Sequence, residues 1–182
     1  KIKLFIRMNI LLLGSSGLLG NELNKILKKK NNLTNNGSKF KKKDLRSKKN
    51  IKELLLAKNY DLIINSTAIT NINFCEKNKK LSKQVNVDII KNIFLIKKNF
   101  NLKFKFIQFS TDQVYNSVVG KLSKENSKNV IFNEYTRQKI EAEKICKKNK
   151  AFIFRTNFFA YKQRSLFKWV VDKAHGKDEF FL

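Results

Sequence analysis

Residues 8–20 read MNILLLGSSGLLG, and the order of residue types in this stretch decides how the chain begins to fold. Ile10 to Leu13 is a short unbroken apolar run, the pattern of a central parallel strand covered on both faces. Gly14, Gly17 and Gly20 follow at once, and Leu18, Leu19, Leu23, Ile26 and Leu27 then fall at helical spacing. A strand, a glycine-rich turn and a helix, in that order, can receive the pyrophosphate of a dinucleotide. Such a ligand needs a tight turn, close backbone approach and N–H groups exposed at a helix N-terminus. Gly14 and Gly17 answer the first two needs, and Gly20 lets the helix pack close to the strand. A plain strand-to-helix turn requires one glycine. Three at this spacing point to phosphate binding by Gly14, Ser15, Ser16, Gly17, Leu18, Leu19 and Gly20.

Outward from this stretch, strand-like and helix-like segments alternate. The polar run NNLTNNGSKFKKK (31–43) has room for only a short second strand. Residues 51–57 read as a helix and 61–65 as a strand. Leu81, Val85, Ile89, Ile90, Ile93 and Phe94 form one apolar stripe on a long helix. Residues 103–109 read as a strand, a helix starts near Glu134, and 151–155 read as another strand. The alternation predicts an α/β fold, a doubly wound parallel sheet of Rossmann type. Residues 1–7 read as an extension before Met8, and 8–160 as the dinucleotide-binding domain. Residues 161–182, with a helical SLFKWVVDKAH and a final DEFFL, read as the start of a second lobe that stops in mid-element, as if truncated.

The bulk numbers set the class. Of 182 residues, 42% are apolar, enough for one core. The formal charge of +26 invites a polyanion partner. However, the lysines are spread along the chain, proline is absent, and no nucleic-acid module is recognisable, so the charge reads as compositional drift over a solvated surface. Cys75, Cys146 and His175 lack metal-ligand spacing, which argues against structural zinc. The apolar run near the N-terminus is too short for a membrane span and lacks a cleavage site. The expectation is a soluble cytoplasmic protein with no specific nucleic acid and no membrane insertion.

Tyr135 and Lys139 stand four apart at the start of a helix, in YTRQK. In so lysine-rich a chain that spacing decides nothing alone. Upstream, however, NSTA (65–68) and FSTDQVY (109–115) each end a predicted strand, with Thr111 24 residues before Tyr135. Carbonyl reduction by hydride needs an acid to protonate the new alkoxide. Tyrosine is too weak an acid unless a cation favours its phenolate, and Lys139, one turn away on the same face, can supply that charge. Thr111 can donate a hydrogen bond to the substrate oxygen. Alone, Thr111 reads as readily as a strand-end capping hydroxyl, and it is the resemblance of these ordered segments to the extended short-chain dehydrogenase/reductases that makes Thr111, Tyr135 and Lys139 the catalytic candidates.

The GxxGxxG spacing, with these segments in this order, resembles the extended short-chain dehydrogenase/reductases. Within them it resembles the sugar-nucleotide reductase group that includes the dTDP-4-dehydrorhamnose reductases. The resemblance implies that Asp44 and Leu45 contact the adenine. It implies that Ser66, Thr67 and Ala68 line the cofactor and that Asn86 is a structural asparagine. It implies that Tyr135 and Lys139 also contact the cofactor, Lys139 through the nicotinamide ribose. Thr111, Gln113, Asn157 and Phe158 are the implied substrate contacts. Gln113 replaces a common aromatic, and Asn157-Phe158 stands where Ser-Trp is common, which leaves the sugar open. The implied reaction is reduction of the 4-keto group of a nucleotide-linked deoxysugar by NADPH or NADH, with Mg²⁺ a further implied cofactor. Lys39, Lys41, Lys42 and Lys43 before Asp44 favour NADPH. The expected partner is a nucleotide sugar, with oligomeric state left open between monomer and homodimer. The alternatives are an epimerase or dehydratase of the same fold, or a non-catalytic regulatory subunit.

Overall fold

A computed structural model describes residues 7–36, 44–115 and 122–157. Five strands form one parallel sheet: β1 (Asn9–Leu13), β2 (Asn32–Asn35), β3 (Leu62–Asn65), β4 (Lys105–Thr111) and β5 (Phe152–Thr156). Their order is β2-β1-β3-β4-β5. The helices are α1 (Leu18–Leu27), α2 (Lys48–Leu56), α3 (Ile72–Lys77), α4 (Lys79–Lys83), α5 (Ile89–Asn99) and α6 (Glu134–Lys148). The doubly wound Rossmann-type fold is as predicted.

Alternate residues of β1 point to opposite faces, as a pleated strand requires. Leu11 and Leu13 join Ile63, Ile90, Ile93 and Phe106 in a core covered by α2, α5 and α6. Ile10, Leu12 and Ile64 face the other way, against Leu23 and Leu27 of α1. Such a strand is apolar at every position, which is why the run Ile10–Leu13 was legible.

Two elements differ from the sequence reading for identifiable reasons. Strand β4 continues two residues past Phe109, because Ser110 pairs with Arg155 and Thr111 with Thr156. Thr111 is thus the last residue of a central strand. The long helix carrying the apolar stripe contains a π-helical turn at Gln84–Asp88 between α4 and α5. Within it Asn86 is buried, accepts from the Ile69 amide at 2.8 Å and donates to the Ile69 carbonyl at 3.0 Å. One wide turn thereby satisfies both backbone groups of a residue in the loop after β3.

The helix N-termini are not treated alike. Ser47 caps α2, Asn71 caps α3, and Asn133 with Thr136 forms a reciprocal capping box on α6. Helix α1 has Gly17 at its N-cap, with no side-chain cap and no acidic residue in its first turn. No helix among the described residues is long and apolar enough to cross a membrane.

Candidate active site

Because the strands are parallel, the carboxyl ends of β1, β3 and β4 open on one edge of the sheet. Strand β1 has β2 on one side and β3 on the other, so the chain changes winding direction beside Gly14. Open α/β sheets receive ligands at such a switch point. A cleft of about 870 Å³ at the opposite, amino-terminal edge is lined by Asp61, Leu62, Lys103 and Lys105, and no predicted site residue borders it.

The glycines differ in what they do. Gly14 turns the chain at φ +80°, and a Cβ there would meet the Thr67 amide nitrogen at 2.7 Å. A Cβ on Gly20 would stand 2.0 Å from the Gly14 carbonyl oxygen and 2.8 Å from Ser66 Oγ. Both are demanded by packing of the turn against α1 and the end of β3. At Gly17 the nearest atom is the Gly14 carbonyl oxygen at 3.4 Å, so the fold itself asks little of that position. The Gly17 amide closes the turn on Gly14 O at 3.0 Å, and the uncapped N-terminus of α1 follows directly. Ser15 is half-buried, while Ser16, Gly17 and Leu18 are exposed and Leu19 half-buried. An anion would find unpaired N–H groups and the positive end of a helix dipole here. The cradle fits a pyrophosphate.

Ser66 donates its hydroxyl to the Leu13 carbonyl at 2.6 Å, and Thr67 donates amide and hydroxyl to Asn65 Oδ1. Asn65 in turn donates to Gln108 at 2.8 Å, holding β3 and β4 together beneath the site. Ala68 is exposed. Leu45 packs into the core rather than toward the site, which leaves only its backbone for a ligand. Arg46 grips both Asp44 oxygens, lowering that carboxyl's pKa. Asn35 ends β2, and Asn36 directly after it accepts from the Gly14 amide at 3.1 Å, so neither described residue at the end of the strand is a carboxylate. Lys39 and Lys41 to Lys43 lie outside the described residues.

Thr111 at the end of β4 and Tyr135 at the start of α6 lie close enough for the Thr111 hydroxyl to act on the phenol. Both are buried. Burial raises the phenol's pKa and the nearby Thr111 hydroxyl partly offsets it. The Lys139 ammonium, also buried, donates to the Phe109 carbonyl at 2.6 Å. Burial lowers its pKa to about 8, with Glu143 opposing that shift. Burial is the largest influence on the phenol, while the Lys139 ammonium is directed to the strand carbonyl. Gln113 is exposed, with its amide on Thr111 Oγ1 at 3.2 Å. Asn157 is exposed, and Phe158 lies outside the described residues. Among the described residues no group of three or more His, Cys, Asp or Glu could hold a metal ion, so the implied Mg²⁺ finds no ligand set there.

Sequence reasoning missed Glu143. It is 1% exposed, and its carboxylate accepts from Ser110 Oγ at 2.6 Å and from Arg155 Nη2 at 2.6 Å. Its signal was its place four residues after Lys139 and eight after Tyr135, on one helix face. It also missed Gln138, which accepts from Asn86 at 2.8 Å and donates to Ser82 Oγ at 2.8 Å.

Solved structures share this fold. A dTDP-4-dehydrorhamnose reductase from Bacillus anthracis, in complex with NADP, superposes with a TM-score of 0.82 at 20% identity, over 96% of this chain and 62% of its own. An orthologous dTDP-4-dehydrorhamnose reductase from Clostridium acetobutylicum gives 0.77 at 25% identity, over 92% and 60%. A hypothetical dTDP-4-dehydrorhamnose reductase from Sulfolobus tokodaii gives 0.70 at 27%, over 81% and 55%. The chain thus spans about three-fifths of the length of these relatives. No match was found among curated proteins. The model of one family, the RmlD substrate binding domain, matches residues 8–182, from the residue before β1 to the end of the chain. With the glycine turn and buried Thr111, Tyr135 and Lys139 on one sheet edge, and with that match over nearly the whole chain, the protein belongs to the RmlD family.

Proposed function

We propose that the chain is the dinucleotide-binding part of an NAD(P)H-dependent reductase acting on the 4-keto group of a nucleotide-linked deoxysugar. The observation that carries this reading is the placement of buried Thr111, Tyr135 and Lys139, with Lys139 bonded to the Phe109 carbonyl, on the sheet edge where α1 presents an uncapped N-terminus. Gly14, Ser15, Ser16, Gly17, Leu18, Leu19 and Gly20 would hold the pyrophosphate, and Ser66, Thr67 and Ala68 would border the cofactor. When bound, the nicotinamide supplies the hydride.

The chain's own residues do the rest. Thr111 donates a hydrogen bond to the substrate carbonyl oxygen, and Tyr135 gives its phenolic proton to that oxygen as negative charge develops. Burial keeps the Tyr135 proton in place until then. The Lys139 ammonium supplies positive charge on the strand end beside Thr111 and contacts the nicotinamide ribose. Gln113, Asn157 and Phe158 would border the sugar.

NADPH is the preferred cofactor in this reading. The absence of a carboxylate at described residues Asn35 and Asn36 removes the usual holder of a ribose 2′-OH, and the surrounding charge of +26 favours a 2′-phosphate. The similar Bacillus anthracis structure holds NADP, which agrees with that choice. Replacing Tyr135 by Phe in a chain that turns over should abolish reduction while leaving NADPH affinity within about twofold. Retained turnover would refute the acid role.

A further inference from the structure

We propose that Glu143 and Arg155 are a positioning pair for this site, locking the helix that carries Tyr135 and Lys139 to the strand end that carries Thr111. The proposal rests on the reading of those three residues given above. The carboxylate of Glu143 takes Ser110 Oγ at 2.6 Å and Arg155 Nε at 2.9 Å on one oxygen, and Arg155 Nη2 at 2.6 Å on the other. Ser110 immediately precedes Thr111 and stands opposite Arg155 in the β4–β5 register. Glu143 follows Lys139 by one helical turn and Tyr135 by two. One carboxylate therefore fixes the rotation of α6 against the end of β4.

Arg155 extends the connection. Its Nη1 donates to the Glu125 carbonyl at 3.0 Å and its Nη2 to Asn129 Oδ1 at 3.1 Å. Its guanidinium lies 4.8 Å from the centre of the Tyr115 ring. Tyr115 pairs with Asn129 in an isolated bridge, and the Val130 amide donates to the Val114 carbonyl at 2.9 Å. The pair thus holds residues 125–130 over the segment that follows Thr111, where Gln113 faces outward.

Stability alone does not account for such a pair. Its side chains are 9% and 2% exposed, and a buried ion pair is replaceable by apolar residues with little loss or even a gain. What apolar replacements cannot supply is the directed set of bonds joining α6, β4, β5 and residues 125–129. They also cannot supply a negative charge beside Lys139. The charged or ionisable groups that act on the Lys139 ammonium are Glu143 and the Cys146 thiol, both on α6; from β5, Arg155 reaches it through Glu143.

The test is a fluorescence titration of this chain with NADPH between about pH 6.5 and 9.5, where Lys139 loses its proton. The variants are Glu143→Gln and the double variant Glu143→Gln/Arg155→Met, with thermal melting to confirm the fold. Wild-type affinity should fall through a midpoint set by Lys139. In Glu143→Gln, with Arg155 left unpaired, the midpoint should move down by about one pH unit. In the double variant, which removes both charges, it should return toward the wild-type value. An unmoved midpoint in folded Glu143→Gln overturns the positioning role. Loss of the fold in both variants assigns the pair to stability and overturns it too. A folded wild-type chain that binds no NADPH overturns the reading of the site itself, and the proposal with it.

Discussion

Lys139 Nζ stands 2.6 Å from the Phe109 carbonyl oxygen, so α6 is pinned to the central strand two residues before Thr111. A buried ammonium needs such a partner, and here the partner is a backbone dipole whose position the sheet dictates. The charge is held where a substrate oxygen bonded to Thr111 would feel it. The arrangement has a cost that can be measured.

That cost depends on pH in a defined direction. Lys139 has a folded pKa of about 8 against an ordinary 10.5. Below pH 8 the penalty for burying the charge is fully present. Between about pH 8 and 10.5 the unfolded chain keeps a proton that the folded chain has lost, so Lys139's contribution to stability rises with pH. Urea unfolding of wild type and Lys139→Met at several pH values should show Lys139→Met gaining less relative advantage as pH climbs through that window. A difference independent of pH would contradict the burial of a charged Lys139.

The three glycines should separate. Gly20→Ala forces a Cβ to 2.0 Å from the Gly14 carbonyl and should cost about 1–3 kcal/mol of stability. Gly17→Ala meets nothing closer than 3.4 Å and should melt near the wild-type temperature while losing most NADPH affinity. Thermal melts paired with a cofactor titration check both. Intact binding in Gly17→Ala would mean that the turn does not receive the pyrophosphate.

Breaking the buried pair from one side should be severe. Arg155→Met leaves the Glu143 carboxylate buried without its cation, and unfolding should come about 3–5 kcal/mol earlier. Glu143→Gln/Arg155→Met should recover much of that loss, which a denaturant series on the three chains would resolve.

The sequence was most legible where chemistry demands a residue type. Three glycines after an apolar run, and Thr111, Tyr135 and Lys139 in order, pointed to one sheet edge before any coordinates. Leu45 shows the limit, because a family resemblance marks a position and not which way its side chain faces; here it faces the core. Glu143 and Arg155 were hidden because, in a chain 30% charged, a buried ion pair looks like surface. The π-helical turn at Gln84–Asp88 was hidden for another reason. It shifts periodicity by a single residue and is driven by Asn86 reaching Ile69, a contact 17 residues away.

A dinucleotide site at the Gly14–Gly20 turn is best probed by titrating this chain with NADPH and with NADH at rising salt. Binding should be saturable, tighter for NADPH, and should survive moderate salt, because unpaired N–H groups at the start of α1 hold the ligand. Binding that vanishes with salt and does not distinguish the two nucleotides would reduce the site to the chain's diffuse positive charge and contradict the account.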